Sequence, residues 1–508
     1  MDVLVLFFGL IFVWGLFEVL SFVRKKSKTT LSNLPPGPPP LPVVGNLLSL
    51  GSQPHKSLAG LSRTYGPIIK LQFGHVTTIV VSSPAIAREI LQTHDAIFSN
   101  RTVPDSVTAL RQDELGLPWV PVSPLWRNLR KICNLHIFSH KKLESNQHIR
   151  HEKVQELVGY IKRSLSTGDA VDIGEVAFKT VVNLLSKTML SEDLADPSGS
   201  ARDFKDLVWC IMVEAGNPNL ADYFPVLKKI DPQGSRQRMT VYFTKIFELF
   251  DSLIEKRLRE RATVGSIRKN DVLDTLLDAR EDKSQDVDIF LIKHFLLDLF
   301  VAGTDTTSST IEWALSELLH NPEKLSRAQA ELNRVIGKGK PIEESEIAHM
   351  PYLQAIIKET LRMHPPVPLY LPRKSGLETE IGGFTVPKGA QVLVNVWAIG
   401  RDPSIWKDPD VFMPERFLGS EIDVKGQDFE LAPFGAGRRI CPGLPLAMRI
   451  LHWMLGSLIN SFNWELEGGV KPEDMSMEEK FGITLQRAQP LRVIPKPIKG
   501  MSQIKVKS

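Results

Sequence analysis

The chain has 508 residues, 43% of them hydrophobic, and a formal net charge of only +4 at pH 7. This length suits one large fold or two merged layers, and the apolar fraction is sufficient for a sizeable core. The small net charge, with basic residues spread along the whole chain, argues against nucleic acid as the main partner.

Residues 3 to 23, VLVLFFGLIFVWGLFEVLSFV, are almost wholly apolar and long enough to cross a bilayer as a helix. They end in a basic flank that should stay in the cytosol. The alternative, a cleaved signal peptide, would have a shorter apolar core and a small-residue cleavage site. The sequence therefore predicts a single transmembrane anchor over 3–23. A basic flank and proline-rich hinge over 24–46 forms a stiff, extended spacer, and a cytosolic body follows over 47–508.

Helical periodicity dominates the body of the chain. Segments 153–165, 243–262 and 314–336 place apolar residues at intervals of three and four, with charges between them. Short strands are predicted within 71–81 and 380–394, where β-branched residues alternate with turn residues. Since no alternating βαβ pattern appears, a doubly wound nucleotide fold is disfavoured. The predicted fold class is mainly α with a small β component.

The three cysteines are Cys133, Cys210 and Cys441, an odd and sparse set. Such a set argues against a secreted disulfide framework and favours a reducing compartment. Without a C-x-x-C pair, a zinc ribbon is also disfavoured. Cys133 and Cys210 lie in apolar stretches, which indicates ordinary buried thiols.

Residues 302–307, AGTDTT, lie inside an apolar run that has the character of a helix. Ala302 and Thr306 are four residues apart and share one helix face. The glycine and the clustered hydroxyl residues raise the cost of an undistorted helix. A local groove at this point could admit dioxygen and a water, with Asp305 and Thr306 as a proton-delivery pair. The alternative is a polar helix end.

A Glu-x-x-Arg pair, Glu359 and Arg362, precedes the segment PERF at residues 414–417. Residues three apart on a helix can form an ion pair. Taken alone, such a pair is usually a surface feature. Arg416 of the PERF segment could join the two residues in a buried network.

The segment PFGAGRRICPG, residues 433–443, surrounds Cys441 with glycines and arginines and is called the cysteine loop here. Cys441 could be a nucleophile, half of a disulfide, a zinc ligand or the axial ligand of a larger cofactor. An axial thiolate would be tuned by backbone N–H groups. Phe434 could shield its sulfur, and glycines such as Gly437 would let the backbone turn close to a flat cofactor. Arg439 could pair with a cofactor carboxylate.

Together these features resemble the cytochrome P-450 superfamily, the haem-thiolate monooxygenases. The resemblance covers nearly the whole chain: anchor, proline hinge, WRNLR at 126–130, AGTDTT, ETLR at 359–362, PERF and the cysteine loop, in family order. It implies the cytochrome P-450 fold, with residues 47–508 as the catalytic domain and haem b as cofactor. It implies that Cys441 is the iron ligand, whose electron donation favours O–O cleavage, and that Asp305 and Thr306 are the family's acid–alcohol pair. The residues that would anchor the haem propionates are Trp126, Arg130, Arg373, Arg439 and Arg101.

Three further stretches, 213–225, 395–409 and 477–495, resemble the plant branch that hydroxylates terpenoids and includes geraniol and nerol hydroxylases. This likeness implies a small hydrophobic substrate, with a monoterpenol such as geraniol or nerol as the first candidate and a sesquiterpene or diterpene as the alternative. Family position implies an apolar substrate pocket. The residues expected to line it are Ala302, Val367, Leu369, Ile483 and Leu485.

The chain has no recognisable flavin or nicotinamide module. The resemblance therefore implies that electrons come from NADPH through a separate cytochrome P-450 reductase, and that the protein sits in the endoplasmic reticulum membrane. The family docks its reductase on the cysteine-ligand side, where the candidate contacts are Arg130, Lys131 and Arg438. Two rival functions stay open. One is a reductase-independent haem-thiolate isomerase or dehydratase, and the other is a non-catalytic haem- or lipid-binding membrane protein.

Overall fold

The structure is a computed structural model that describes residues 33–194, 200–263, 265, 267–282 and 287–498. The predicted anchor over 3–23 and most of the basic flank lie outside the described residues. Within the described ranges, no helix is both long enough and apolar enough to cross a membrane.

Helices make up most of the described chain, which confirms the predicted mainly α class. Prolines at the first or second position start many of them, since proline needs no hydrogen-bond partner there. The helices are α1 Pro54–Tyr65, α2 Pro84–Arg88, α3 Gln112–Leu115, α4 Pro124–Ile132, α5 His140–Ser145, α6 Gln147–Thr167, α7 Ile173–Leu190, α8 Ser200–Gly216, α9 Leu220–Tyr223, α10 Ser235–Ala262, α11 Val272–Glu281, α12 Ile289–His320, α13 Pro322–Val335, α14 Pro351–Met363, α15 Val396–Ile399 and α16 Leu444–Ser461.

The predicted helix over 314–336 is two helices. Its first part ends α12 at His320, and Pro322 begins α13, because proline cannot continue the preceding helix. At the other end of α12, the Asp288 side chain accepts a 2.7 Å hydrogen bond from the Leu291 N–H and caps the helix.

The strands are short and form two small sheets and two hairpins. One sheet has the order β1-β2-β8-β5-β3, with only β2 and β8 parallel, and the other has the order β4-β12-β9. The hairpins are β6-β7 and β10-β11. The strands are β1 Ile68–Phe73, β2 Val76–Val81, β3 Asn100–Arg101, β4 Val171–Asp172, β5 Arg373–Lys374, β6 Thr379–Ile381, β7 Phe384–Val386, β8 Gln391–Val394, β9 Asn463–Leu466, β10 Glu479–Lys480, β11 Gln486–Arg487 and β12 Arg492–Lys496.

Helix α12 runs through the middle of the helical core and packs against α7, α14 and α16. Three quarters of its residues are buried, so the helix is in contact with the core around most of its circumference rather than along one stripe. A polar side chain on α12 therefore faces either a hydrogen-bond partner or an internal cavity.

The proline-rich segment, which the sequence predicts to be a spacer, lies against the edge of the first sheet. The Lys70 N–H of β1 donates a 2.8 Å hydrogen bond to the Pro36 carbonyl. A Cβ on Gly37 would overlap the Lys70 carbonyl oxygen, so the two backbones can approach this closely only at a glycine. The described part of this segment is attached to the body from its first residue, since the Asn33 carbonyl accepts a 2.7 Å hydrogen bond from the Thr385 N–H.

Candidate haem site

A cavity of about 300 Å³ lies beside the middle of α12. Its walls come from α12, α7, α4, the cysteine loop, the start of α16 and the segment 366–373. Cys441 lines the cavity from one direction and Ala302 with Thr306 from another. The cavity therefore brings together residues from most of the motifs that the sequence singles out.

The cysteine loop is closed by its own backbone. The Cys441 N–H donates a 3.0 Å hydrogen bond to the Phe434 carbonyl, which fixes where the sulfur sits. Burial raises the pKa of the Cys441 thiol, whereas N–H bonds from Gly443 and Leu444 and the nearby Arg130 lower it. Because Leu444 starts α16, the sulfur also lies at a helix N-terminus, which favours negative charge.

Two glycines of this loop, Gly435 and Gly437, have different structural roles. Gly435 has a φ of +71° and lines the cavity beside Phe434. Gly437 has a φ of +67° and does not line the cavity, because its Cα packs on the Leu91 carbonyl, where a Cβ would overlap the oxygen. Gly435 is therefore the glycine that brings the backbone to the cavity, and Gly437 joins the loop to the turn that follows α2.

Four arginines line the cavity and donate to backbone carbonyls. Arg439 bonds the carbonyls of Ser99, Leu117 and Val120, at 3.0, 3.1 and 2.6 Å. The other three arginines bond as follows: Arg101 to Pro118 at 3.2 Å and Leu371 at 2.7 Å, Arg373 to Phe98 at 3.1 Å, and Arg130 to Ile440 at 2.7 Å.

Within the described part of the chain, none of these four arginines has a carboxylate within ion-pair distance. Burial lowers the pKa of Arg373 to about 10. Burial and repulsion by neighbouring arginines lower the pKa of Arg439 to about 10. They also lower the pKa of Arg101 well below its ordinary value. The Nε of Arg373 is buried and has no hydrogen-bond partner. Uncompensated buried cations are costly, so the arrangement fits a cofactor that brings its own anionic groups.

Trp126 lies between two of these cations. The Arg439 guanidinium lies 4.8 Å and that of Arg130 5.8 Å from the indole centroid. The Ser123 hydroxyl accepts a 3.2 Å hydrogen bond from the Trp126 N–H and caps α4, which carries both Trp126 and Arg130. The WRNLR motif thus delivers an aromatic ring and a cation to the cavity from one helix.

On α12, Thr306 faces the cavity and Asp305 does not. Consecutive residues of an α-helix point about 100° apart. The Asp305 carboxylate therefore faces a different side of the helix, where it accepts a 2.6 Å hydrogen bond from Gln486. Burial raises the pKa of Asp305 to about 6, and Thr484 and Gln486 oppose this rise.

The predicted groove in this helix is not a break in its backbone. Residues 302 to 307 are α-helical throughout, and the Thr306 hydroxyl donates a 2.7 Å hydrogen bond to the Ala302 carbonyl. Thr304 and Thr307 make the same bond to the carbonyl four residues earlier. These local bonds use the hydroxyls without displacing the helix.

Glu359, Arg362 and Arg416 form a buried network away from the cavity lining. Arg362 donates to both oxygens of Glu359, at 2.7 and 2.8 Å, and Arg416 donates to it at 3.0 Å. Glu359 and Arg362 are at most 1% exposed. Their helix α14 also supplies Leu361 to the cavity wall, so the network holds one wall of the site in place.

The five predicted pocket residues have three different positions. Ala302 and Val367 line the main cavity. Leu369 and Ile483 line a second, apolar cavity of about 130 Å³, which also includes Val367. Leu485 lines neither cavity: it is fully buried, and its N–H donates a 2.8 Å hydrogen bond to the Pro366 carbonyl. Leu485 is a packing residue, which an apolar side chain cannot reveal from sequence alone.

The structure confirms a buried thiol at Cys133 but not at Cys210, and two of the candidate reductase contacts, Arg130 and Arg438, make contacts within the protein. Cys133 is fully buried and Cys210 is half-buried. Arg130 points into the cavity wall, and Arg438 forms a bidentate ion pair with Asp95 at 2.9 Å.

Sequence reasoning missed Asp298 as a cavity residue. It lies four residues before Ala302 on α12, so helical spacing alone could have indicated that it shares the same face.

Comparison with known proteins finds cytochrome P450 relatives that match nearly the whole chain. The family described as Cytochrome P450 matches residues 35–492. A geraniol 8-hydroxylase from Swertia mussotii is 58% identical, covering 98% of this chain and 99% of the relative. A geraniol 8-hydroxylase from Catharanthus roseus is 55% identical, covering 97% and 99%. Drimenol monooxygenase from Persicaria hydropiper is 52% identical, covering 93% and 94%.

The family carries haem b and accepts electrons from a redox partner. The residues around the cavity fit that cofactor, since they offer a thiol with N–H donors and four cations that form no ion pair with any carboxylate in the described part of the chain. A family match over most of the chain and relatives above 50% identity lead to one conclusion. The chain belongs to the cytochrome P450 family and is a monooxygenase.

Proposed function

We propose that this protein hydroxylates a small hydrophobic terpenoid, with a monoterpenol of the geraniol and nerol type as its substrate. The observation that carries the proposal is that Cys441 lines the same largely apolar cavity as Ala302 and Thr306. Two relatives above 50% identity that are named geraniol 8-hydroxylase support the substrate class. Drimenol monooxygenase, at 52% identity, makes larger terpenoids the second group to test.

Cys441 would hold the haem iron, and the haem supplies the oxidation by activating dioxygen. The N–H groups of Gly443 and Leu444 at the sulfur would moderate how strongly the thiolate donates electrons. Phe434 lines the cavity next to Cys441 and would keep water from the sulfur. The haem carboxylates would be bound by Arg101, Arg130, Arg373, Arg439 and Trp126, which supply cations and an aromatic wall.

Thr306 would hold and donate protons on the substrate side, because its hydroxyl lies in the cavity wall one turn beyond Ala302. Asp305 would act from behind the helix rather than from inside the cavity. Its carboxyl has a pKa of about 6, close to neutral pH, so it can exchange protons under cellular conditions. The proposed pair therefore needs a rotation of the Asp305 side chain or a water chain to connect its members.

The cavity walls favour an apolar substrate. Leu185 and Met189 of α7, Leu299 of α12, and Val367 and Leu371 supply aliphatic surface to the lining. Burying such surface against a hydrocarbon ligand contributes about 25 cal/mol per Å². The second cavity shares Val367 and Leu371 with the first and gives room to a longer substrate or a route of entry.

The remaining assignments concern membrane and partner. The apolar run 3–23 would anchor the protein in the endoplasmic reticulum membrane, with the basic flank and residues 47–508 in the cytosol. An NADPH-dependent reductase would dock on the cysteine-loop side. There Arg127 and Lys131 of α4 are exposed, whereas Arg130 faces inwards and Arg438 is paired with Asp95.

The test combines spectroscopy and turnover. Membranes containing the full chain should give, on reduction with carbon monoxide, the red-shifted Soret band of a thiolate-ligated haem. With NADPH and a plant reductase, they should then hydroxylate geraniol or nerol in a panel that also includes drimenol and a diterpene. Cys441→Ser should lose that band and the products. Turnover that ignores NADPH would favour a reductase-independent isomerase, and the absence of products from every terpenoid would refute the substrate class.

A further inference from the structure

Asp298 lies on the cavity face of α12, one turn before Ala302 and two turns before Thr306. Of the described residues that line the cavity, it is the one with a carboxylate. Its residue surface is only 8% exposed. A carboxylate in a largely apolar wall is costly unless it is hydrogen-bonded, so its partners define its role.

Both oxygens of Asp298 bind the same segment, residues 112–120. Oδ1 accepts a 2.7 Å hydrogen bond from the Gln112 side-chain amide, and Oδ2 accepts a 2.6 Å bond from the Leu117 N–H. The side-chain Oε1 of Gln112 is in turn hydrogen-bonded to Nδ1 of His294, one turn earlier on α12. Gln112 and His294 are at most 2% exposed. Two side chains of α12 thus hold one end and the middle of the segment.

The opposite side of the same segment is held by the haem-side cations. The Leu117 and Val120 carbonyls accept from Arg439, and the Pro118 carbonyl accepts from Arg101. Leu117 therefore donates its N–H to an acid on α12 and offers its carbonyl to a cation of the cofactor site. The backbone at Leu117 is thus held from both sides, and hydrogen bonds in such a chain polarise one another.

The backbone of this segment is tightly folded. Leu110 and Arg111, which precede it, have φ values of +50° and +66°, in the left-handed region that non-glycine residues seldom adopt. At Gly116 a Cβ would lie 2.6 Å from the Gln112 carbonyl oxygen. Such conformations persist when surrounding contacts enforce them. The bonds to Asp298 begin at Gln112, directly after these two residues, and help to enforce their conformation.

We propose that Asp298 is a positioning residue that fixes the Leu117–Pro118 wall of the substrate cavity to α12 and to the arginines of the haem site. Both Leu117 and Pro118 line the cavity, so their placement sets the space above Ala302 and the substrate orientation. The part of the inference that concerns substrate orientation rests on the proposed terpenoid function. The part that concerns the wall does not.

The experiment compares Asp298→Ala and Asp298→Asn with Glu312→Gln in the haem-loaded full chain. Glu312 is a matched control: it lies on the same helix, is also 8% exposed, and accepts a 2.7 Å bond from the Leu491 N–H without lining the cavity. Amide hydrogen exchange over residues 112–120 measures the wall without substrate. The substrate Kd, from the spin-state shift, and the ratio of hydroxylated regioisomers measure orientation.

We expect Asp298→Ala to speed exchange at the Leu117 amide by about tenfold, to raise the substrate Kd by a similar factor, and to broaden the regioisomer ratio. Asp298→Asn keeps one acceptor and should give smaller changes. Glu312→Gln should alter exchange near Leu491 alone. If Asp298→Ala does not incorporate haem, Asp298→Asn and Gln112→Ala decide the question, since each removes only part of the contact.

Unchanged exchange at residues 112–120 would overturn the inference. So would faster exchange together with an unchanged Kd and product ratio in a protein that hydroxylates a terpenoid. If the wild-type protein accepts no terpenoid, the proposed substrate fails, and the exchange measurement still decides whether Asp298 holds the wall.

Discussion

Arg101 and Arg373 face each other directly across the antiparallel pair of β3 and β5. Like charges in this position destabilise a sheet, and the Arg373 guanidinium lowers the pKa of both Arg101 and Arg439. Among the described residues, no carboxylate pairs with either side chain. The fold therefore maintains a concentration of positive charge that an anionic cofactor would stabilise.

The first prediction concerns Arg373→Met. The substitution removes a buried cation whose Nε has no partner, so it should leave the haem-free protein at least as stable as the wild type. It should also weaken haem retention by about tenfold or more, because a charge-assisted hydrogen bond to a haem carboxylate is lost. The measurements are the haem-to-protein ratio after purification and the rate of haem transfer to apomyoglobin.

Lys374→Met is the matched control, since Lys374 is the next residue of β5 and is exposed to solvent. It should retain haem as the wild type does. Equal haem loss in both variants would mean that the charge at residue 373 has no special role.

Local signals account for what the sequence predicts well. The helices follow from their periodicity, the Glu359–Arg362 pair from its spacing, and the presence of Cys441 in the cavity lining from the residues around it. Features that depend on the direction of a side chain or on contacts between distant segments were not predictable from local sequence. One step along α12 turns Asp305 away from the cavity that Thr306 faces. The apolar character of Leu485 is the same in a core as in a pocket.

A second prediction tests the role of Thr306. Thr306→Ala removes the hydroxyl from the cavity wall, so proton delivery should fail more often and NADPH should be consumed with peroxide as the product. We expect product per NADPH to fall severalfold, while the carbon monoxide spectrum is retained. Thr304→Ala is the control, because its hydroxyl makes the same bond to the carbonyl four residues earlier but faces away from the cavity. Equal coupling in the two variants would contradict the assignment.

A third prediction concerns the pH dependence of stability at Asp305. Its pKa is about 6 in the folded protein, against about 3.9 in an unfolded chain. Between these values the folded state binds the additional proton, so ionisation of Asp305 reduces the free energy of unfolding as the pH rises from 4 to 6. The loss is roughly 3 kcal/mol.

Asp305→Asn should remove that loss. The free energy of unfolding of the variant, measured by urea denaturation, should exceed that of the wild type by an amount that grows from pH 4 to pH 6 and then stays constant. Glu312 and Asp222, whose pKa values are also raised, are present in both proteins and cancel in the difference. Parallel curves for the two proteins across this range would show that Asp305 is not held in its neutral form.

A fourth prediction compares two Glu–Arg pairs with the same spacing. Glu359→Gln leaves the buried Arg362 and Arg416 without a counter-charge and should lower the free energy of unfolding by about 3–5 kcal/mol. Glu114→Gln breaks the pair with Arg111, which is exposed to water, and should have little effect. The measurement is the denaturation midpoint of each haem-loaded variant. A similar small shift of the denaturation midpoint in both variants would mean that burial does not increase the contribution of the glutamate charge to stability.

The last prediction concerns the docking of the reductase. Arg127 and Lys131 are one turn apart and exposed on α4, whose Trp126 and Arg130 face inwards to the haem site. The double variant Arg127→Glu, Lys131→Glu should therefore weaken the reductase interaction and leave the haem site intact. We expect the reductase concentration for half-maximal turnover to rise about tenfold at low salt, and the difference from the wild type to shrink as ionic strength rises.

The control is Arg259→Glu on α10, an exposed residue that is paired with Glu255. It should change neither the reductase concentration for half-maximal turnover nor its dependence on salt. A salt-independent loss of turnover, or a loss of the carbon monoxide spectrum, would mean that the two residues act on the fold rather than on the partner.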